Sequence, residues 1–362
     1  MIKKFLQLVL DTGASDLHIA TGEPPILRVN GTLQRTDFAK FDAEQMKSIC
    51  YSFLTDKQIK EFEETNELDL STGVEGLGRF RVNIYKDRIG MAAAFRIITE
   101  TIPSLEKLGL PATTKEVAKL PRGLVLVTGP TGSGKSTTLA AIIDWINTHR
   151  AEHILTIEDP IEFVHKSKKS LINQREVGAD TYSFQAALKS SLREDPDVIL
   201  IGEMRDLETI SLAVTAAETG HLVFGTLHTS SAATTIDRLV DVFPHEQQTQ
   251  IRIQLSGSLK AVLSQTLLPK KTGEGRCMAM EIMTVTPGIS NLIREGKTSQ
   301  IYSAIQTGRK EGMQTLEASL AELYKQGLVR VEDIIAKSSK ADELRNLLGS
   351  DVITNDMLAG AG

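Results

Sequence analysis

Cysteine is scarce in this chain of 362 residues, which contains only Cys50 and Cys277. Two widely separated cysteines provide neither a disulfide framework nor the four thiolates of a structural zinc site. Long apolar runs are also missing, since none reaches the roughly 20 residues that a membrane-spanning helix needs. The opening segment MIKKFLQLVLD is interrupted by Asp11, which favours an amphipathic helix over a secretory leader. We therefore expect a cytoplasmic protein without a transmembrane segment.

Aromatic residues are scarce as well, and there is no excess of positive charge. Aromatic residues make up 5% of the chain, and its formal net charge is −5. Channels that bind single-stranded nucleic acid need cationic grooves and aromatic stacking platforms, so we expect no nucleic-acid partner. The basic run HKSKKS at 165–170 is the one segment that suggests such a patch, and a solvated loop is the plainer interpretation.

The patterning of apolar residues divides the chain into successive regions. A small α+β domain comes first, with a hairpin signal at Asn30-Gly31. Two prolines then mark a linker. Short apolar strands alternating with helices predict an α/β core with a parallel sheet covered on both faces. A helical region and a mobile tail follow. The predicted boundaries are 1–100, 101–115, 116–285, 286–348 and 349–362.

A glycine-rich loop carries the strongest chemical signal. GPTGSGKS matches G-x-x-x-x-G-K-[ST], follows the apolar strand LVLVT and opens a helix. Glycines at these positions let backbone N–H groups turn toward phosphates. Lys135 is predicted to reach the β- and γ-phosphates, and Ser136 to bind Mg²⁺, so ATP and Mg²⁺ are the expected ligands. The predicted nucleotide-binding residues are Gly129, Pro130, Thr131, Gly132, Ser133, Gly134, Lys135, Ser136 and Thr137.

A second segment, VILIGEMRD, lacks the aspartate that nucleotide-hydrolysing domains usually place directly after a buried strand. Gly202 stands where an aspartate normally helps to hold Mg²⁺, and the acid follows one position later as Glu203. We predict that Glu203 polarises the attacking water or contacts Mg²⁺ through a water molecule. The alternative is a solvated charge or an ion pair with Arg205.

A cluster of acids follows the strand in HILTIEDPIEF. Glu158, Asp159 and Glu162 are close enough in sequence to repel one another unless a cation or an arginine lies among them. We expect this cluster to substitute for the missing aspartate, and an exposed acidic turn is the alternative.

Two histidines flank the strand in HLVFGTLHT, about 23 Å apart if the strand is regular. They therefore cannot share one small site. His228 follows the carboxyl end of the strand and is a candidate γ-phosphate sensor, with a structural histidine as the alternative. His221 is predicted to serve a subunit or domain contact.

Three arginines are predicted on one face of the N-terminal sheet. Arg79 and Arg81 alternate with apolar residues in RFRVNIY, and Arg96 does the same in MAAAFRII. Anions would neutralise this face, and the γ-phosphate is the anion that the glycine-rich loop supplies. We therefore predict that arginines, Arg81 and Arg96 in particular, act as fingers across a domain or subunit boundary. A solvated face is the alternative.

The order of four motifs resembles the secretion-ATPase superfamily of type II and type IV machines. Its P-loop resembles GPTGSGKST, and its acidic box resembles TIEDPIEF. Its aspartate-lacking Walker B segment resembles SLREDPDVILIGEMRD, and its histidine box resembles ETGHLVFGTLHTSSA. ASDLHI, RVNGTL and NLIREGK narrow the resemblance to pilus retraction ATPases. GISNLIRE departs from the usual AIRNLIRE, since Ser290 replaces an arginine while Arg294 remains.

This resemblance implies a homohexamer whose subunits combine a PAS-like N-terminal domain, a RecA-like P-loop ATPase core and a C-terminal helical region. It implies that ATP binds between the two domains and that N-terminal arginines complete the site. It also implies work at the cytoplasmic base of a type IV pilus, against an inner-membrane platform protein. The C-terminal element is expected to transmit that work.

Several rival functions are compatible with parts of the sequence. A pilus-extension or type II secretion ATPase is disfavoured because the lone Cys277 cannot form the tetracysteine zinc element of those motors. The sequence does not distinguish this protein from a paralogous retraction ATPase. Such a paralogue and a pilus assembly ATPase are also candidate partners. A nucleic-acid motor is disfavoured by composition, and a non-catalytic scaffold by the presence of Lys135, Ser136 and Glu203.

Overall fold

The computed structural model describes residues 2–29, 31–98 and 101–353, and the chain divides into two compact units. The N-terminal unit comprises Met1–Thr101 with Pro160–Val164, and the C-terminal unit comprises Ile102–Asp159 with His165–Gly362. Asn30 of the predicted hairpin turn and residues 354–362 of the predicted tail lie outside the described residues.

The N-terminal unit is built on an antiparallel sheet in the order β3-β2-β1-β6-β5-β4. Its described strands are β1 (Asp16–Ala20), β2 (Ile26–Val29), β3 (Thr32–Arg35), β4 (Glu67–Val74), β5 (Gly78–Lys86) and β6 (Met91–Ile98). The predicted hairpin is present, since Val29 pairs with Thr32 and Gly31 adopts a φ of +83°.

Alternation along the strands separates this sheet into an apolar and a polar face. Phe80, Val82 and Ile84 of β5 are fully buried and share a core with residues of the unit's helices. The helices are α1 (Ile2–Thr12), α2 (Ala43–Tyr51) and α3 (Asp56–Thr65). Arg79 and Arg81 alternate with these core residues, so the predicted arginine face is confirmed.

The C-terminal unit contains a mixed sheet in the order β13-β12-β7-β11-β10-β8-β9, in which only the β12–β13 pairing is antiparallel among the described strands. Its strands are β7 (Gly123–Thr128), β8 (His153–Glu158), β9 (Leu171–Glu176), β10 (Val198–Ile201), β11 (Leu222–Leu227), β12 (Leu259–Pro269) and β13 (Arg276–Thr284). Every residue of β7, β10 and β11 is buried, as expected for parallel strands covered on both faces.

Two hydrophobic cores lie on the two faces of this sheet. Leu126, Ile199 and Val223 belong to one core, and Val125 and Phe224 to the other. The covering helices are α4 (Thr113–Ala118), α5 (Lys135–His149), α6 (Phe184–Ser191), α7 (Leu207–Glu218), α8 (Ala232–Asp241) and α9 (His245–Ser258). This arrangement confirms the predicted α/β core with a sheet covered on both faces.

The chain after β13 is helical, as predicted. Its helices are α10 (Pro287–Arg294), α11 (Ile301–Thr307), α12 (Leu316–Lys325), α13 (Val331–Lys337) and α14 (Ala341–Leu348). Ile289 and Ile293 of α10 are buried in the core that contains Leu126. Gly296 follows the end of the helix with a φ of +69°. Ser290, at the departure from the family motif, donates to the backbone oxygen of Ser256 at 2.6 Å. No described helix is both long and apolar enough to cross a bilayer.

A buried carboxylate connects β13 with helix α8. Glu281 is 3% exposed, and its Oε1 accepts a hydrogen bond from the Ala232 N–H at the start of α8, at 2.7 Å. Burial raises the pKa of Glu281 to about 7, with a further increase from the charges of Glu317 and Glu343. The Ala232 N–H and Lys340 act in the opposite direction. Ionised Glu281 therefore lowers the free energy of unfolding.

We predict that Glu281→Gln stabilises the protein increasingly as pH rises. The folded pKa of about 7 lies above the ordinary value of 4.5, so the unfolded chain releases the proton first and stability falls between these two pH values. Glutamine still accepts from Ala232 and carries no charge. The expected gain is about 1–3 kcal/mol at pH 8 and much less at pH 5, measured by denaturant unfolding.

The exposed Glu322→Gln substitution on α12 serves as the control and is expected to leave stability nearly unchanged at both pH values. A Glu281→Gln variant that loses stability at pH 8 would contradict the assigned burial cost.

Candidate active site

The glycine-rich loop joins β7 to α5 and owes its shape to backbone conformations that favour glycine. Gly129, Gly132 and Gly134 have φ values of +143°, +78° and +87°. A Cβ on Gly129 would lie 2.2 Å from the backbone oxygen of Gln265, so no side chain fits there. Gly134 precedes the first turn of α5, and no described side chain caps that turn. The N–H groups of the turn are thus directed at an anion site.

Side-chain hydrogen bonds hold the loop in place. Lys135 Nζ donates to the backbone oxygens of Gly129 at 2.8 Å and Pro130 at 3.2 Å. From the neighbouring strand β12, Gln265 Nε2 donates to the backbone oxygen of Ser133 at 2.7 Å. The sequence prediction missed Gln265, although a buried polar residue inside the apolar strand LKAVLSQTLLP was a visible signal.

Parallel pairing brings the other predicted groups to the same sheet edge as the loop. β11 lies between β7 and β10, and β8 flanks β10 on its other side. His228 follows β11, Glu203 follows β10 after Gly202, and Glu158 and Asp159 end β8. Ligands of parallel α/β sheets bind at this carboxyl edge. His221 precedes β11 at the opposite edge, where its Nδ1 lies 2.9 Å from the backbone oxygen of Ala216.

Glu203 lies at the centre of a small charged group. Its Oε1 is 2.6 Å from Arg205 Nε and 3.2 Å from His228 Nε2. Burial alone would raise the pKa of Glu203, but the hydrogen bond and charge of Arg205, with the His228 contact, lower the pKa below its ordinary value. The carboxylate is therefore ionised and able to accept a proton. The ion pair with Arg205, the alternative to a catalytic role, is present and compatible with that role.

Steric constraint explains why glycine occupies the position of the usual aspartate. A Cβ on Gly202 would lie 3.2 Å from the Cα of Glu158 and 3.3 Å from the backbone oxygen of Ile157. The Gly202 N–H also donates to that oxygen at 2.8 Å. The backbone of β8 thus approaches too closely for a side chain to enter without a shift.

The three clustered acids have different surroundings. Glu158 Oε1 accepts from Thr156 Oγ1 at 2.6 Å and from Gln174 Nε2 at 3.2 Å. Asp159 is exposed and contributes to the raised pKa of Arg205 through its charge. Glu162 is exposed and belongs to the Pro160–Val164 segment of the N-terminal unit.

The polar face of the N-terminal sheet carries the predicted arginines together with an acid that the sequence prediction missed. Asp16 lies in register with Arg28 on one side and Arg96 on the other, and Arg96 in turn pairs with Arg81. Arg96 Nε is 2.7 Å from Asp16 Oδ1, and Arg28 Nε is 3.7 Å from Oδ2. Arg81 is exposed.

The row of arginines is thus partly neutralised within its own unit. Burial would raise the pKa of Asp16, but the Ser15 hydroxyl and the Arg96 guanidinium lower it overall, so this carboxylate is ionised. Arg79 donates from Nη2 to Ser71 Oγ at 2.7 Å. Arg294, the remaining predicted residue, is exposed at the end of α10.

A model of the family described as type II/IV secretion system protein matches residues 1–336. The chain belongs to this family. The type IV pilus retraction ATPase PilT of Pseudomonas aeruginosa is 56% identical over 337 residues, which cover 93% of this chain and 98% of that protein. A twitching motility protein of Neisseria gonorrhoeae is 52% identical over 320 residues, covering 88% and 86%.

A solved structure supports the same assignment. The crystal structure of the pilus retraction motor PilT with bound ADP superimposes with a TM-score of 0.89 at 49% identity, covering 95% of this chain and 98% of that one. This similarity confirms the predicted RecA-like secretion-ATPase fold. With its P-loop and acidic strand end, the chain is an ATP-hydrolysing enzyme of this family.

We predict that restoring the usual aspartate through Gly202→Asp lowers ATPase activity and stability. Any side chain at this position displaces the backbone that carries Glu158 and Asp159, and overpacking of this kind costs about 1–3 kcal/mol. Gly202→Ala tests the steric part without the charge. Steady-state ATP hydrolysis and thermal unfolding measure both effects.

Gly257→Ala provides the matched control, because a Cβ there meets nothing within 4 Å inside α9. It is expected to be neutral or stabilising by about 0.5–1 kcal/mol. Hydrolysis by Gly202→Asp at the wild-type rate, with unchanged stability, would show that steric exclusion does not keep glycine at this position.

Proposed function

We propose that this protein is a hexameric motor ATPase that powers retraction of type IV pili, and so twitching motility. One observation carries the proposal: nearly the whole chain, including both units, is similar to relatives named for pilus retraction and twitching motility. The site geometry supplies the matching chemistry, since the phosphate loop, His228 and Glu203 share one sheet edge.

The side chains at this edge divide the work of hydrolysis. Lys135 and the uncapped N–H groups of α5 bind the phosphates. Ser136 at the start of α5 would hold Mg²⁺, which would neutralise charge on the transferred phosphoryl group. Glu203 orients the attacking water and accepts its proton, because its carboxylate is ionised and lies at the strand end beside Arg205 and His228. Glu158 and Asp159 add negative charge at the same sheet edge, where it would favour the binding of a cation.

His228 connects Glu203 with β11, which lies next to β7 in the sheet, and β7 precedes the phosphate loop. Its Nε2 contact with Glu203 Oε1 gives it a direct connection to the proposed base. We infer that a change at the γ-phosphate alters this contact, so that His228 reports hydrolysis to the rest of the core. His221, at the other edge, is assigned to a subunit or domain contact.

Arginines of the N-terminal unit are assigned to the nucleotide of a neighbouring subunit. Arg81 is exposed, and Arg96 is held in position by Asp16 while 67% of its side chain stays accessible. Arg79 supports the same face through its bond to Ser71. A guanidinium that approaches the γ-phosphate neutralises transition-state charge and accelerates hydrolysis by about 10³–10⁵.

The assembly works at the cytoplasmic base of the pilus, bound to an inner-membrane platform protein. Helix α10 presents Arg294 to solvent while Ile289 and Ile293 fix the helix to the core, so the helix moves with the ATPase core. A pilus assembly ATPase acts in opposition, and a paralogous retraction ATPase is a candidate second partner.

The basic run at 165–170 gives little support to a nucleic-acid motor. Lys168 Nζ binds both carboxylate oxygens of Asp144 on α5, at 2.7 and 2.8 Å. Lys169 Nζ donates to the backbone oxygen of His149 at the carboxyl end of the same helix. These charges serve to attach a loop to α5.

We predict that Glu203→Gln retains ATP binding and loses turnover by about 10²–10⁴, because glutamine cannot accept a proton. Lys135→Ala is expected to weaken binding as well. Equilibrium nucleotide binding and phosphate release separate the two effects. In the host, Glu203→Gln cells are expected to carry excess pili and to lose surface motility.

Glu208→Gln, an exposed acid at the start of α7, is the control and is expected to retain wild-type activity. If Glu203→Gln hydrolyses ATP within a few-fold of wild type, the base is Glu158, Asp159 or Glu162. Bald Glu203→Gln cells would indicate an extension motor and would contradict the proposed direction of work.

We predict that arginine and P-loop defects complement each other in mixed hexamers. The Arg81→Ala, Arg96→Ala double variant lacks fingers, and Lys135→Ala lacks a working phosphate loop. Mixed rings contain some interfaces where an intact loop faces intact fingers, so some ATPase activity returns. Titration of one dead protein into the other, with mass measurement of mixed rings, provides the test. Mixed hexamers that stay inactive at every ratio would exclude action in trans.

A further inference from the structure

The backbone around Glu203 is held by a residue of the neighbouring strand β11. Strand β10 ends at Ile201, which pairs in register with Gly225. Beyond this pair the contacts with β11 continue through Thr226, a polar residue that is 5% exposed inside a fully buried strand. A buried hydroxyl needs a hydrogen-bond partner, and here the partner lies next to the proposed base.

Thr226 contacts this backbone on both sides of Glu203. Its Oγ1 donates to the Gly202 oxygen at 2.5 Å, and its backbone oxygen accepts from the Met204 N–H at 3.0 Å. The Gly202 oxygen belongs to the planar peptide unit before the Glu203 Cα, and the Met204 N–H belongs to the unit after it. One residue therefore holds both peptide planes, and with them the backbone dihedral angles of Glu203.

Packing holds the two residues beside Glu203 to different degrees. Met204 is 2% exposed, and its Sδ lies so close to β11 that a Cβ on Gly225 would come within 2.4 Å of it. Gly202 has no side chain to pack, and a glycine backbone has access to more conformations than that of other residues. The orientation of the peptide unit before Glu203 therefore depends on the bond between its carbonyl and the Thr226 hydroxyl.

We propose that Thr226 is a positioning residue for hydrolysis, which orients the Glu203 carboxylate toward the attacking water. The proposal rests on the role of Glu203 as the base and adds the residue that orients it. Glu203 contacts Arg205 and His228 because its backbone directs the side chain toward them. Loss of the Thr226 hydroxyl frees the peptide unit, so that the base is misplaced while the phosphate loop stays intact.

Thr226→Val tests the hydroxyl, because valine keeps the branched shape of the side chain and the backbone oxygen. In the full-length protein, kcat for ATP hydrolysis is expected to fall about 10- to 100-fold, the effect of a misplacement of about 1 Å, while ATP binding stays nearly unchanged. Thr226→Ser retains the hydroxyl and is expected to keep most of the activity. Thr226→Ser and Thr226→Ala differ in the hydroxyl alone, so their comparison makes the same test if the valine variant fails to fold.

A double-mutant cycle with Glu203→Gln distinguishes positioning from a purely structural role. If Thr226 acts through Glu203, Thr226→Val reduces the residual single-turnover hydrolysis of Glu203→Gln less than about threefold. An equal reduction in both backgrounds, or wild-type kcat in Thr226→Val, would overturn the proposal. Hydrolysis by Glu203→Gln alone within a few-fold of wild type would instead reject Glu203 as the base, and with it the role assigned to Thr226.

Thr114→Val is the matched control for the loss of a buried hydroxyl. Thr114 is 0% exposed, and its Oγ1 donates to the Pro111 oxygen at 2.6 Å. It belongs to α4, which leads into the amino end of β7, opposite the carboxyl edge that carries the site. Both valine substitutions should lower the unfolding temperature, but Thr114→Val should keep wild-type kcat. A matching loss of kcat in Thr114→Val would show that destabilisation alone explains the result and would overturn the proposal.

Discussion

Parallel pairing of β7, β11, β10 and β8 is the constraint on which the candidate site depends. Each strand is followed by a functional segment at its carboxyl end, and the hydrogen-bonded register fixes the order of these segments along one edge. Complete burial of the three central strands makes that register expensive to change. The same close pairing leaves little room for a side chain at 202, which favours glycine there and the acid one residue later.

The charged side chains proposed to act in catalysis have partners of opposite sign. Glu203 keeps its negative charge through Arg205, and Asp16 keeps Arg96 in place on the N-terminal sheet. Glu281 has a different environment, because it is buried near two further acids and its pKa rises to about 7. Its contact with the start of α8, the helix after His228, connects β13 to the segment that follows the proposed sensor.

Strand β12 fixes the position of the phosphate loop and of strand β7, which precedes it. Gln265 and Ser264 are polar residues in an apolar strand, and their side chains bind Ser133 and Thr128 respectively. Polar side chains in such positions are tolerated when they are hydrogen-bonded. The loop position is thus set by adjacent residues of one strand.

The sequence by itself determined the elements and the chemistry of the core. The loop GPTGSGKS, the apolar strands and the alternation around Phe80 each follow from local patterns whose period is fixed by backbone geometry. The edge shared by Glu203 and His228 also followed, because strand ends of a parallel sheet converge. Only the tertiary structure decided the contacts between residues distant in sequence, namely Asp16 with Arg96, Gln265 with Ser133 and Glu281 with Ala232. These pairs depend on which strands become neighbours and on how closely their backbones approach, and no local periodicity encodes either quantity.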